Sequence, residues 1–296
     1  MDCVGHDSDR DERQQFGPVD RCLRHPPLAG MRGTSSVDLE IRDTIRVGNN
    51  HNAQLVLVDV LRSDPGLEWL GGERRLAAKI YDPLYFDDDD GYLNPFLCVD
   101  KHYTHEAHAY AELQDLQGRL VPKYYGSYSL DLCVGSKLRH VRLIIIEFIP
   151  GVAMRDANPA CYSQPARQHI MKAVVDFETT LYTRNILHTD LHPRNIILVS
   201  GSDSGVPERL VFIDFGGAIF GRTWDNSNLF PGTYISPLLR WHVACNPTLH
   251  FCDWVNWDWQ SWLEAEYKHT ASTVTEEMRK VYLPDYLLAP PQLTTN

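Results

Sequence analysis

The chain has 296 residues, with 28 Lys and Arg against 39 Asp and Glu, a net charge of -11 at neutral pH and 43% hydrophobic residues. That is enough apolar material for two modest cores, and too much for a disordered or fibrous protein. An acidic balance of this size argues against a broad nucleic-acid surface, which needs clustered Lys and Arg to displace counterions, while leaving room for a local phosphate site.

Seven cysteines (Cys3, Cys22, Cys98, Cys133, Cys161, Cys245 and Cys252) form an odd set without a C-x-x-C pair. The chain is also far longer than the small secreted domains that depend on disulfides, so a reducing compartment is expected. Residues 2–20 are charged without an apolar run, so no secretory signal is expected, and no stretch reaches the roughly eighteen apolar residues of a membrane span. A cytoplasmic or nuclear protein follows, with neither membrane nor nucleic acid as partner.

Residues 1–37 are rich in Asp, Arg, Gly and Pro and lack hydrophobic periodicity, which predicts a flexible N-terminal arm. Short runs rich in branched side chains then predict strands at 43–47, 54–61 and 76–81, separated by turn signals such as Asn49-Asn50 and Asp64-Pro65-Gly66. Between 103 and 117 Glu106, Tyr110, Leu113 and Gln117 recur at helical spacing on one face, with Glu112 pointing away from it. Strand texture returns at 124–132 and in the nearly continuous apolar run 141–146, which reads as a buried central strand. Pro150 and Gly151 then break the pattern.

The second half opens with a predicted long helix over 164–184, with Pro165 suited to its first turn and Ile170, Val174, Phe177 and Leu181 on its apolar face. Strands at 195–199 and 209–214 read as a hairpin with a widened turn, and a final helix is predicted near 272–281. The division is therefore a strand-rich lobe at 38–149, a helix-rich lobe at 150–285 and a tail at 286–296, with a cleft expected where the lobes join.

The most specific signal is His188-Thr189-Asp190-Leu191-His192-Pro193-Arg194-Asn195, followed by Asp214-Phe215-Gly216. Phosphoryl transfer asks little covalent chemistry of a protein and much placement of charge. Asp190 is the candidate carboxylate to face an acceptor hydroxyl, and Asn195 and Asp214 offer the hard oxygens that Mg2+ prefers. They lie at the start and end of the predicted hairpin, whose pairing is expected to bring them together. Lys79, on a strand with apolar neighbours, needs an anionic partner, for which Glu106 is the first candidate and Glu112 the second.

These motifs resemble the catalytic loop and metal-binding motif of the protein-kinase-like superfamily, which includes protein kinases and aminoglycoside phosphotransferases. The resemblance spans about residues 43–285 and implies an α+β, bilobal fold: an N-terminal lobe made of an antiparallel sheet with one helix, and a mainly α-helical C-terminal lobe. It further implies ATP and Mg2+ as cofactors, Asp190 as base, Asn195 and Asp214 as metal ligands, and Lys79 with Glu106 as the pair orienting the nucleotide phosphates. The backbone of Glu147 to Ile149 would read the adenine edge, and His188 would support the loop.

The phosphate-facing turn falls at residues 47–53, where a single glycine stands, with asparagines that tolerate positive φ. Gly71-Gly72 reads better as a hairpin turn. The string DLHP is similar to the small-molecule branch, A-P-E is missing after DFG, and the whole pattern most resembles the divergent kinase-like proteins of fungi. A zinc site at His242, Cys245, His250 and Cys252 and a calcium loop at Asp87 to Asp90 both lack the spacing that such sites require. Trp254, Trp257, Trp259 and Trp262 read as packing rather than as an acceptor wall. The expected function is an ATP-dependent phosphotransferase acting on a hydroxyl of a protein or small molecule. The alternatives are a catalytically inactive nucleotide-binding scaffold, suggested by the glycine-poor turn, and a non-binding interaction module.

Overall fold

The computed structural model describes residues 7–30, 33–49, 51–65, 75–86, 93–200, 207–221, 230 and 233–284. The turn at Gly71-Gly72, the acidic run at Asp87 to Asp90, most of the widened hairpin loop and the tail at 286–296 lie outside these residues. The chain forms two compact units. The first comprises Met1–Pro150 with Asp214–Gly217, and the second Gly151–Ile213 with Ala218–Asn296.

The first unit is built on a five-stranded antiparallel sheet of order β1-β2-β3-β5-β4, from β1 (Val37–Arg46), β2 (Gln54–Ser63), β3 (Leu76–Tyr81), β4 (Tyr124–Val134) and β5 (Lys137–Glu147). Side chains alternate across a strand. Val56, Val58, Leu76, Ala78, Tyr125, Leu143 and Ile145 form one buried cluster, and the alternate positions Ala77, Lys79 and Tyr81 point to the other face. The apolar run expected as a buried strand lies within β5. That strand starts earlier than its apolar texture because its polar first half pairs with β4 around a turn at Gly135, whose φ of 60° suits glycine.

Helix α3 (Pro95–Glu112) touches β3, β4 and β5. It begins eight residues before its predicted start because Asn94 caps it, its side chain accepting from the N–H groups of Phe96 and Leu97, with Pro95 in the first turn. Its predicted last turn is instead a 3-10 turn, after which Gln117 spans from the Tyr110 carbonyl to the Tyr124 N–H.

The expected flexible arm requires correction, since residues 7–24 fold as α1 (Asp7–Gln15) and α2 (Pro18–Arg24). Both are too short to display a periodic apolar face, and their docking uses groups that a hydropathy pattern does not register. Arg21 and Cys22 are buried, His25 stacks on Phe96 at 4.5 Å, and Leu28 donates its N–H to Asp100 while its carbonyl accepts from Arg142. Beneath α2 a buried ion pair joins Arg139 to Asp82. Burial, with Asp82 nearby, pushes the Cys22 thiol up to about 11.

In the second unit α4 (Gln164–Thr183) starts at a Ser163 cap with Pro165 in its first turn, and buries Ile170, Val174, Phe177 and Leu181. Phe177 stacks on Phe212 at 3.7 Å. Strands β6 (Val152–Ala153), β8 (Ile196–Ser200) and β9 (Pro207–Phe212) form a small antiparallel sheet, and β7 (Ile186–Leu187) pairs with β10 (Ile219–Phe220). The hairpin expected at 195–199 and 209–214 is β8 and β9, but β9 stops at Phe212. Helices α5 (Pro237–Arg240), α6 (Trp259–Glu266) and α7 (Glu276–Tyr282) follow. Trp259 lies 4.8 Å from Trp262 and donates its indole N–H to the Trp241 carbonyl, while Glu178 of α4 accepts from Arg240 and Trp241. Among the described residues no helix is long and apolar enough to cross a membrane.

Breaking a buried pair leaves one charge uncompensated, whereas an exposed pair contributes little. Asp82→Ala is expected to lower stability by about 3–5 kcal/mol. Asp59→Ala, which removes one of the two exposed carboxylates paired with Arg42, should leave stability nearly unchanged. Urea unfolding of the two variants checks the contrast.

Candidate functional site

Strand β3 carries Lys79 at the middle of the sheet, opposite Leu55 on one side and Ile144 on the other. An ammonium in such surroundings must be paired. Its Nζ donates to Glu106 Oε2 at 2.5 Å and to Asp214 Oδ1 at 2.7 Å. Glu106, buried on the inner face of α3, is therefore the partner, while Glu112 is exposed. Burial pulls Lys79 down, but the carboxylates of Asp214 and Glu106 together outweigh it, and the ammonium sits above the ordinary lysine value.

Tyr81, two residues along the same strand face, donates its hydroxyl to Glu106 Oε2 at 2.5 Å. Burial, followed by the Glu106 charge, holds that hydroxyl well above the usual tyrosine range, so it remains a donor. Glu106 Oε2 is thus fixed from two sides, by an ammonium and by a phenol.

The Asp214-Phe215-Gly216 segment belongs to this same unit. Asp214 has φ of 69°, the left-handed region that non-glycine residues rarely occupy. Phe215 is fully buried, edge-on to Tyr110 at 5.7 Å. A Cβ on Gly216 would stand 3.3 Å from His102 Cβ, a tight contact, and 3.5 Å from Glu106 Oε2, an ordinary one, so the segment runs close against α3. Asp214 Oδ2 also faces the Arg46 guanidinium at 3.7 Å.

At the end of β5 the Glu147 N–H donates to the Lys123 carbonyl at 2.9 Å, and the Phe148 N–H to that of Arg75 at 3.4 Å. Ile149 has no backbone hydrogen bond among the described residues, so of the three backbone positions expected to read a base edge, it is the one whose N–H and C=O are both uncommitted. In the turn after β1, Gly48 has φ of 119°, and the Gln54 side chain binds both its N–H (2.6 Å) and its C=O (2.9 Å).

In the second unit His188 is buried and its Nε2 lies 3.1 Å from the Ile213 carbonyl, which ties the loop to the strand beside it. A 3-10 turn at Pro193–Asn195, capped by His192 Nδ1 accepting from the Arg194 N–H, folds Asn195 back toward Asp190. Asn195 Nδ2 donates to Asp190 Oδ2 at 2.7 Å and to the Asp190 carbonyl at 2.9 Å. Its donor end is thereby spent, and Oδ1 has no hydrogen bond among the described residues. Arg194 grips the Asp190 carboxylate in bidentate fashion, Nη2 to Oδ1 at 2.5 Å and Nε to Oδ2 at 3.2 Å. The β8–β9 ladder continues one step, with the Ile213 N–H donating to the Asn195 carbonyl at 3.0 Å.

Of the residues singled out by sequence, the structure brings Lys79, Glu106 and Asp214 together in one unit and Asp190 with Asn195 in the other. Four further side chains bear on the site. Tyr81 was legible as the second residue after Lys79 on a two-residue period, and Arg194 as the fourth after Asp190. Arg46 and Gln54 carry no sequence signal, because only sheet pairing and the turn define their neighbours.

Residues 102–228 match the family model described as the ABC1 atypical kinase-like domain. The match covers less than half of the chain, includes Glu106, Asp190, Asn195 and Asp214, and leaves out Lys79. It supports a place in the protein-kinase-like superfamily, and the α+β architecture with its five-stranded antiparallel sheet is compatible with a kinase-like fold. No curated protein matches the chain.

Tyr81→Phe removes one of the two donors to a buried carboxylate and is expected to lower stability by about 1.5–3 kcal/mol, measured by urea unfolding. His102 is held below the ordinary histidine value, first by burial, against the pull of Asp214. Its unfolded form therefore binds a proton more tightly, so its contribution to stability is present above about pH 6.5 and is lost as pH falls. The melting temperature of His102→Gln should accordingly drop less than that of the unaltered protein between about pH 7.5 and 5.5; an equal drop would exclude His102 as the titrating group.

Proposed function

We propose that this chain is an ATP-dependent phosphotransferase of the kinase-like type, moving the γ-phosphoryl group of Mg-ATP to a hydroxyl of a protein or small molecule, in the cytoplasm or nucleus. The observation that carries this reading is the buried Lys79 ammonium held by both Glu106 and Asp214. A lysine placed in this way is poised to exchange one carboxylate for phosphate oxygens while keeping the other. The family match over 102–228 supports the same reading.

The donor set suits Mg2+. Asn195 offers an amide oxygen whose companion nitrogen is already spent on Asp190, and Asp214 offers a carboxylate, both hard oxygens. On this reading those two residues hold the ion, which when bound supplies charge neutralisation for the phosphates. Lys79 binds phosphate oxygens, Glu106 and Tyr81 hold Lys79 in place, and the backbone at Glu147 and Ile149 takes the adenine edge. Asp190 accepts the proton of the acceptor hydroxyl, its carboxylate oriented by Asn195 and Arg194. The DLHP loop favours a small acceptor, and the likeness to divergent fungal kinase-like proteins belongs to the same proposal.

A second reading, a nucleotide-binding scaffold without turnover, is favoured by the bidentate Arg194 grip on Asp190, which occupies both oxygens of the intended base.

Labelled ATP with generic protein substrates and with a panel of hydroxylated metabolites separates these readings. Phosphotransfer should fall about 10²- to 10⁴-fold in Asp190→Asn with Mg-ATP binding retained. Binding without transfer above that control would establish the scaffold. Absence of Mg-ATP binding by the unaltered protein would refute both.

A further inference from the structure

A glycine-rich turn holds phosphate with a run of exposed backbone N–H groups, and this chain has little of that kind to offer. Its turn after β1 has one glycine, and both backbone groups of Gly48 are already bonded to the buried side chain of Gln54. The same turn is entered from Arg46, the last residue of β1, which carries a cation toward the site.

The Arg46 guanidinium stands 3.7 Å from Asp214 Oδ2, on the carboxylate whose other oxygen accepts from Lys79. That separation is too long for a hydrogen bond, and the Arg46 side chain makes none among the described residues. Its side chain is 41% exposed, in contrast to 7% for Lys79. On Asp214, each carboxylate oxygen is thus balanced by one of two cations, Oδ1 by Lys79 and Oδ2 by Arg46.

Commitment of Asp214 to a divalent ion, as proposed above, upsets that balance. Lys79 keeps Glu106, but Arg46 is left with its fork of N–H donors and no anion. Phosphate oxygens match that fork in geometry and charge.

We propose that Arg46 is a polyphosphate-binding residue of the nucleotide site, supplying from a side chain the donors that the glycine-poor turn lacks. This inference rests on the nucleotide-binding reading. It assigns the ligand's triphosphate to Arg46 and Lys79 jointly, and makes affinity depend on the number of phosphates.

Isothermal titration of the full chain and of R46Q and R46K with Mg-ATP and with adenosine tests it, with the far-UV spectrum as a check on folding. R46Q should weaken Mg-ATP about 10- to 100-fold, the size of one charge-assisted contact, and leave adenosine binding unchanged. R46K, which keeps the charge but loses the fork, should fall between. Equal Mg-ATP affinity in R46Q and the unaltered protein, with Lys79→Ala impaired, would overturn the role of Arg46 and leave the nucleotide reading intact. A parallel loss of adenosine binding would also overturn it, by showing that the substitution deforms the site. Should R46Q misfold, R46K decides, an undiminished affinity for Mg-ATP counting against the proposal. Failure of the unaltered protein to bind Mg-ATP would remove both claims together.

Discussion

A lysine set between Leu55 and Ile144 in the middle of a sheet is almost wholly removed from water, and leaving its ammonium unpaired there would be costly. Much of the first unit is arranged around that constraint. Glu106 reaches the strand from α3, the Gly216 segment runs close against His102 of that helix, and Asp214 adopts a left-handed backbone beside the lysine. Tyr81 closes the arrangement from the same strand face. Of these features the left-handed Asp214 backbone is the uncommon one.

The loop of the second unit answers a different problem, which is to hold a carboxylate still while leaving an amide oxygen uncommitted. A 3-10 turn of three residues brings the Asn195 nitrogen onto both the side chain and the carbonyl of Asp190. Arg194 adds a second grip, and His188 fastens the loop to Ile213. Rigidity of this sort suits a group that must meet a substrate in one orientation, and equally suits a loop whose carboxylate stays paired.

Legibility in the sequence followed the range of the interaction. The strand faces, the start of α4 and the partnership of Lys79 with Glu106 could be read because they rest on periods of two and of three to four residues, and on the cost of an unpaired charge. The N-terminal helices were missed because α1 and α2 are short and dock through His25, Arg21 and Leu28, groups that no apolar period marks. The early start of α3 is the opposite case, since its local signal, Asn94-Pro95, lies upstream of the stretch where the helical periodicity is displayed.

The sequence by itself determined which residues could carry charge chemistry, because Asp190, Asn195, Asp214 and Lys79 stand in motifs whose residue types and spacings are local properties. Only the tertiary structure decided which of them touch. The assignment of Asp214 to the unit that holds Lys79, the approach of Arg46 to that same carboxylate and the closure of Gly48 by Gln54 depend on sheet register and on a turn through a left-handed residue. The physical reason is that ion pairing falls off over a few ångströms, a distance that chain separation does not encode and that packing alone sets.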